Sequence, residues 1–155
     1  MTIERVLLCV DGSPAALAAA RLAIGLAAGW RAAVRAVYVA QDAGIGAAID
    51  AIGMGRLPPA EQRLAKAATG VLDHIVELGR AGGAKVETKL VWGEPFEELL
   101  REARTYRPDI VAIGRAGRRG PGPALGAVTE HLLEFAEWPV IVVPAAGDPE
   151  EPPAR

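Results

Sequence analysis

Short runs of apolar and β-branched residues alternate along this 155-residue chain with longer segments of helical character. The apolar runs predict strands at residues 6–10, 33–40, 86–91, 109–114 and 139–144. Helices are predicted between them, at about residues 14–28, 60–80, 95–106 and 125–136. Strands that alternate with helices of ten or more residues indicate a parallel sheet covered by helices on both faces. The chain is therefore expected to form an open, parallel α/β sheet structure, as a single domain over residues 1–146.

Turn residues and biased segments divide the chain further. Ser13 is predicted to cap the first helix, with Pro14 in its first turn, and Gly29 is expected to end it. Residues 147–155 are rich in Pro and Glu and are expected to form a disordered tail. The segment 41–57 is apolar but rich in glycine, which leaves two interpretations open: a lid over a ligand, or an insertion whose isoleucines pack on the surface.

The composition argues against several classes of protein. The net charge of −2 at pH 7 gives no broad field that would attract nucleic acid or an anionic membrane. The amino terminus lacks the shape of a signal peptide and no segment approaches the length of a transmembrane helix, so we expect a cytoplasmic protein with no nucleic-acid or membrane partner. Cys9 is the single cysteine, which excludes an intramolecular disulfide, and its apolar neighbours predict a buried, inert thiol.

A glycine-rich stretch with three arginines, residues 114–120, follows the fourth predicted strand and precedes the last predicted helix. Strand, glycine-rich loop and helix together are typical of an anion site, because backbone N–H groups can approach a phosphate and the helix start adds partial positive charge. The alternative is an ordinary turn with solvated arginines. Asp11 also follows a predicted strand, so it would border the same crevice if the first and fourth strands are neighbours. Its carboxylate would either contact a ligand or accept backbone N–H groups near the first helix.

Catalytic and metal signatures are missing from the sequence. No serine, histidine and acid set suggests nucleophilic catalysis. His74 and His131 have no companion at metal-ligand spacing, which favours surface or packing roles. A phosphoacceptor receiver domain would need an aspartate at the end of the third strand, where residues 91–93 read Val-Trp-Gly.

The order and spacing of several segments resemble the universal stress protein family. The segments that carry the resemblance are residues 6–13, 37–39, 93–95, 108–118, 126–130 and 138–143. The resemblance implies a five-stranded parallel sheet in the order 3-2-1-4-5 with four helices. It also implies a homodimer paired through the last strand, which here contains Val140, Ile141, Val142 and Val143.

Family members that bind ATP carry Gly, two residues, Gly, nine residues, and then Gly followed by Ser or Thr. Gly114 and Gly117 match the first part, but Gly126 follows after eight residues, and Ala127 stands where the hydroxyl is expected. The resemblance implies ATP, with magnesium, as the cofactor, and it places the backbone of Val39 at the adenine. The complete implied nucleotide site is Asp11, Val39, Gly114, Arg115, Gly117, Arg118, Gly126, Ala127 and Val128.

Two functions follow from this comparison of motifs. The first is a dimeric, ATP-binding regulatory module of the stress response, with slow ATP hydrolysis at most. The second is a dimeric interaction scaffold of the same family that binds no nucleotide. Asp11 and the glycines at 114 and 117 favour the first function, whereas the shortened spacing and Ala127 favour the second.

Overall fold

The computed structural model describes residues 1–41, 60–117 and 125–146. These residues form five strands and four helices. In chain order the elements are β1 (Arg5–Val10), α1 (Pro14–Trp30), β2 (Ala33–Ala40), α2 (Ala60–Gly82), β3 (Lys85–Trp92), α3 (Pro95–Tyr106), β4 (Ile110–Gly114), α4 (Ala127–Phe135) and β5 (Val140–Val143).

All strand pairs of the sheet are parallel, and the strand order is β3-β2-β1-β4-β5. The central strand is β1, in which Val6 lies opposite Val34 of β2 on one side and Ile110 of β4 on the other. The strands β2 and β3 therefore lie on one side of β1. The chain then crosses back, and β4 and β5 lie on the other side of β1. The predicted fold and strand order are confirmed.

Two hydrophobic cores lie on opposite faces of this sheet. On the first face α1 and α2 cover residues such as Leu8 of β1, and Ile75 of α2 is buried there. On the second face Leu7 of β1 packs in one core with Leu99 of α3 and Leu132 of α4. Because side chains alternate along a strand, the neighbours Leu7 and Leu8 serve opposite cores. The apolar β1 sequence is thus explained by burial on both sides.

The first helix begins as predicted but ends later. Ser13 is the N-cap, and its Oγ accepts the N–H of Ala16 at 3.1 Å. The predicted end at Gly29 is wrong: the helix continues to Trp30, and Arg31 takes the left-handed conformation with φ 58°. The sheet sets this end point, since the N–H of Ala33, where β2 begins, donates to the carbonyl of Glu4 at 2.8 Å.

Two predictions about segments of the chain concern residues outside the described ranges. One is the prediction of a disordered tail at residues 147–155. The other is the pair of interpretations for the segment 41–57, of which only Gln41 is described. Of the helices in the described ranges, none combines the length and apolar character that a bilayer crossing requires.

Candidate functional site

A pocket of about 200 Å³ opens at the carboxyl ends of the central strands. After β1 the chain enters α1 on one face of the sheet, and α4, which follows β4, lies on the other face. Neighbouring strands whose connections leave in opposite directions create a crevice, which is where open α/β sheets bind ligands. We call this crevice the switch pocket. The predicted site residues that line it are Asp11, Val39, Gly114, Gly117, Gly126, Ala127 and Val128.

Two predicted site residues are not among those that line the switch pocket. Arg115 follows β4, and its backbone N–H donates to the carbonyl of Val143 at 2.7 Å, while its own carbonyl accepts the N–H of Gly126 at 2.9 Å. Its backbone therefore joins β4, β5 and the start of α4. Arg118 lies outside the described ranges.

Asp11 combines both of the environments that the sequence left open. Its Oδ1 accepts the N–H of Ser13 at 2.9 Å, which holds the turn between β1 and α1. Its Oδ2 faces the other wall, since a Cβ placed on Gly117 would lie 3.0 Å from that oxygen. One oxygen thus stabilises the turn, and the other is directed to the glycine-rich side of the switch pocket.

Gly114 is required by packing against α1. A Cβ at this position would lie 2.7 Å from both the carbonyl carbon of Ala15 and the nitrogen of Ala16. Such a contact is closer than real Cβ atoms approach backbone, so a larger residue would push α1 away from β4. The sequence predicted a glycine that admits a phosphate, whereas the contact explaining this glycine is with the first turn of α1.

Gly117 and Gly126 lie against each other at the pocket. A Cβ on Gly126 would approach the nitrogen of Gly117 to 3.2 Å and the Cα of Ala116 to 3.3 Å. The described ends on either side of residues 118–124 therefore meet at the switch pocket, and both need small residues there.

The start of α4 has no side-chain cap. Gly126 is its N-cap and supplies no side-chain acceptor, so the first-turn N–H groups at Ala127 and Val128 receive no such bond. The predicted start at residue 125 is two residues too early. An uncapped helix start carries partial positive charge and N–H donors, which suit an anion.

Thr129 is a pocket residue that the sequence analysis missed. It is buried, and its Oγ1 donates to the carbonyl of Gly114 at 2.9 Å, which ties α4 to the end of β4. Thr129 could have been predicted from the sequence, because it is a hydroxyl residue in the first helical turn after a glycine-rich loop and can therefore face the end of a strand.

The remaining wall of the switch pocket is apolar. It is formed by Val37 and Val39 of β2, Pro95 and Leu99 of α3, and Ile113 of β4. Pro95 and Leu99 were not predicted as site residues, because their positions depend on how α3 crosses the sheet. An apolar wall beside a few polar groups is typical of sites for small organic ligands.

Cys9 lies at the floor of the switch pocket and is almost completely buried. Burial, and to a smaller extent the negative charge of Asp11, raises the pKa of its thiol to about 12. The predicted inert thiol agrees with this environment.

Metal ligands do not gather in the described part of the chain. No group of three or more His, Cys, Asp or Glu residues there could hold an ion. His131 is exposed and lies beside the ring of Phe96 with ring centroids 5.3 Å apart, which falls within the surface or packing roles predicted for it.

Comparisons with known proteins agree with this fold. The sequence model of the universal stress protein family matches residues 2–144. Universal stress protein MJ0531 of Methanocaldococcus jannaschii is 28% identical over 141 residues, which cover 90% of this chain and 81% of that protein. The solved structure of hypothetical protein MJ0577 matches with a TM-score of 0.79 at 22% identity, over 96% of this chain and 100% of that chain.

Two further solved structures contain adenine nucleotides. A universal stress protein in complex with cAMP matches with a TM-score of 0.66 at 22% identity, over 94% of this chain and 100% of that chain. The universal stress protein from Archaeoglobus fulgidus in complex with dAMP matches with a TM-score of 0.64 at 23% identity, over 92% of this chain and 99% of that chain. These likenesses show the fold.

The family match covers every strand and helix of the described structure. The strand order that the motifs implied is the order observed. The chain therefore belongs to the universal stress protein family.

Proposed function

We propose that this chain binds an adenine nucleotide in the switch pocket and acts as a nucleotide-responsive regulatory module of the stress response. One observation carries the proposal: the pocket joins an apolar wall, the Asp11 carboxylate and the uncapped start of α4 where the strand order reverses. The neighbours in complex with cAMP and dAMP support it, because both ligands contain adenine.

Each part of the pocket suits one part of a nucleotide. The wall at Val39 and Leu99 offers apolar surface to the adenine ring. Asp11 can accept hydrogen bonds from a ribose hydroxyl or from the adenine amino group. The N–H groups at the start of α4, where no side chain caps the helix, suit a phosphate.

ATP with magnesium is the ligand that the motif resemblance implies, with Arg115 and Arg118 as sources of positive charge. We expect slow ATP hydrolysis at most. Asp11 is the one acid, and no histidine or lysine occurs, among the described residues that line the pocket. One of the Asp11 oxygens is already bonded to the turn, so the acid is poorly placed as a general base.

The proposed homodimer pairs through Val140, Ile141, Val142 and Val143 of β5. This strand bonds to β4 on one side and is an edge of the described sheet, with all four side chains only partly buried. An apolar edge strand is a template for pairing with another strand, and a second copy of the chain would cover it. The proposed location is the cytoplasm.

The proposal is tested by calorimetric titration of the purified protein with AMP. We expect saturable binding of one nucleotide per chain, and we expect Asp11→Ala to weaken it, because the carboxylate acceptor is lost. Thermal melting of both proteins separates this loss from unfolding. An unchanged affinity of the folded variant would remove Asp11 from the site, and a fall in melting temperature with unchanged affinity would assign it to the turn alone.

A scaffold without nucleotide is the second candidate function. Ala127 lacks the expected hydroxyl, and Leu133 and Phe135 of α4 expose 48% and 57% of their surface. Exposed apolar side chains on one helix are a feature of interaction surfaces. Absence of binding by any adenine nucleotide would make this function the better account.

A further inference from the structure

We infer that Glu102 is a positioning residue for the adenine side of the switch pocket. By binding one cation on β2 and another on β3, it fixes α3 on the sheet, and with α3 the part of the pocket wall that this helix supplies. The inference rests on the proposed function, which assigns the adenine ring to that wall.

The Glu102 carboxylate is a buried charge that is bonded to two strands. Its side chain is 6% exposed. Its Oε1 accepts a hydrogen bond from Nη1 of Arg35 on β2 at 2.7 Å, and its Oε2 accepts one from Nζ of Lys89 on β3, also at 2.7 Å. Burial acts to raise the pKa of this carboxyl, but the hydrogen bonds and charges of Lys89 and Arg35 outweigh burial, so the pKa lies below its ordinary value. The carboxylate therefore stays charged at neutral pH, with both oxygens bonded.

Arg35 is itself held in place, which makes it a firm anchor for α3. Its Nε donates to Oε1 of Glu87 on β3 at 2.8 Å. Its guanidinium also lies over the ring of Tyr106, at 4.1 Å from the ring centroid. Tyr106 is buried and is the last residue of α3, four residues after Glu102. Arg35 therefore contacts α3 at two places that are about one helical turn apart.

Glu102 lies on the same side of α3 as the residues that reach the pocket. Leu99 precedes Glu102 by three residues and Pro95 precedes Leu99 by four, a spacing that places all three on one face of the helix. Pro95 and Leu99 line the switch pocket. Lys89 lies opposite Val37 of β2, which lines the same pocket. A shift of Glu102 along the sheet would therefore move the wall that α3 supplies.

The use of a charged residue on the sheet-facing side of α3 also points to positioning. A buried ion pair is often no more stabilising than well-packed apolar residues in its place. An ion pair differs from them in its geometry, since an N–H···O bond holds donor and acceptor within about 2.7–3.2 Å, whereas apolar contact is non-directional. Two such bonds to different strands restrict both the rotation and the sliding of α3.

The test combines a double-mutant cycle with two ligands. Calorimetry measures the affinities of AMP and adenosine for the parent, Glu102→Gln, Lys89→Met and the double variant. Gln keeps the size of Glu102 without its charge, and Met keeps most of the length of Lys89 without its charge. Ile75→Val is the matched control, because Ile75 is buried in the core on the other face of the sheet. The control lowers stability and leaves the ion pairs of Glu102 intact.

For Glu102→Gln we expect AMP and adenosine to bind about fivefold more weakly, by the same factor, because both place an adenine ring at the displaced wall. Lys89→Met should weaken AMP binding about twofold, since Arg35 still holds Glu102. The double variant should bind AMP about as well as Glu102→Gln does, because both changes act on one contact. Ile75→Val should keep the affinity of the parent.

Amide hydrogen exchange supplies a readout that needs no ligand. In Glu102→Gln the amides of α3 should exchange about tenfold faster than in the parent, while those of α1 keep their rates, because the lost bonds hold α3 alone. An equal acceleration in both helices would show a general loss of stability and would contradict a positioning role.

The remaining outcomes separate the inference from the proposed function. If Glu102→Gln and Ile75→Val weaken AMP binding equally, or if folded Glu102→Gln binds AMP as the parent does, Glu102 does not position the pocket wall. If no adenine nucleotide binds the parent, the proposed function fails, and the exchange rates of α3 still decide whether Glu102 fixes this helix. If Glu102→Gln does not fold, Lys89→Met carries the test, because the Lys89 side chain is 49% exposed and its replacement leaves the Arg35 bond in place.

Discussion

Replacing Gly114 by alanine should destabilise the fold through a single close contact. The added Cβ would lie 2.7 Å from two backbone atoms in the first turn of α1, and backbone cannot move aside as a flexible side chain can. Gly114 has no positive φ, so alanine adds no strain in backbone conformation.

The size of the effect follows from two opposing contributions. Overpacking of a well-filled site costs about 1–3 kcal/mol. Replacing glycine reduces the freedom of the unfolded chain and returns about 0.4–1 kcal/mol. The midpoints of these two ranges leave a net loss of about 1.3 kcal/mol, which lowers the melting temperature of a domain this size by about 3–5 °C.

Thermal melting at fixed protein concentration measures this loss, with Gly25→Ala as the matched control. Gly25 lies within α1, and a Cβ there meets nothing within 4 Å. The control should therefore gain up to about 1 kcal/mol from helix propensity. If Gly114→Ala melts at or above the parent while Gly25→Ala behaves as expected, the packing explanation of Gly114 is wrong.

Three other predictions concern the site and the assembly. Ala127→Ser supplies a neutral donor for a phosphate and should improve AMP affinity about fivefold, or about 1 kcal/mol, by calorimetry; an unchanged affinity would place the phosphate elsewhere. The Cys9 thiol, with its pKa raised from 9.0 to about 12, should hold about a thousandfold less thiolate at pH 8 than an ordinary thiol. A disulfide reagent should therefore modify it only after denaturation, and rapid labelling of the native protein would contradict its burial. Sedimentation at micromolar concentration should find a dimer, and Ile141→Lys should produce monomers because a charge blocks an apolar edge strand; a monomeric parent would refute the pairing.

The fold was largely predictable because local patterns and global topology agree in this chain. Apolar runs marked the strands, and Ser13 with Pro14 marked the start of α1. The error at Gly29 has a tertiary cause, since the hydrogen bond that places Ala33 beside β1 determines where the preceding helix must stop. A local signal at glycine could not contain that information.

The candidate site was predictable where chain order alone determines position. Asp11 and Gly114 end neighbouring strands, so their presence in one pocket follows from the strand order. Leu99 and Thr129 were not predicted as site residues. They reach the pocket from helices, and the angle at which a helix packs on the sheet cannot be derived from the sequence pattern. Gly114 lines the pocket, as its place at the end of β4 led us to expect, but its close contact is with the backbone of Ala15 and Ala16.

Native mass spectrometry of the protein purified without added ligand tests the central claim most directly. We expect that the folded protein carries an adenine nucleotide, or takes up one AMP per chain when AMP is added, and that Asp11→Ala reduces this occupancy. A folded protein that stays free of adenine nucleotide at millimolar AMP would contradict the claim.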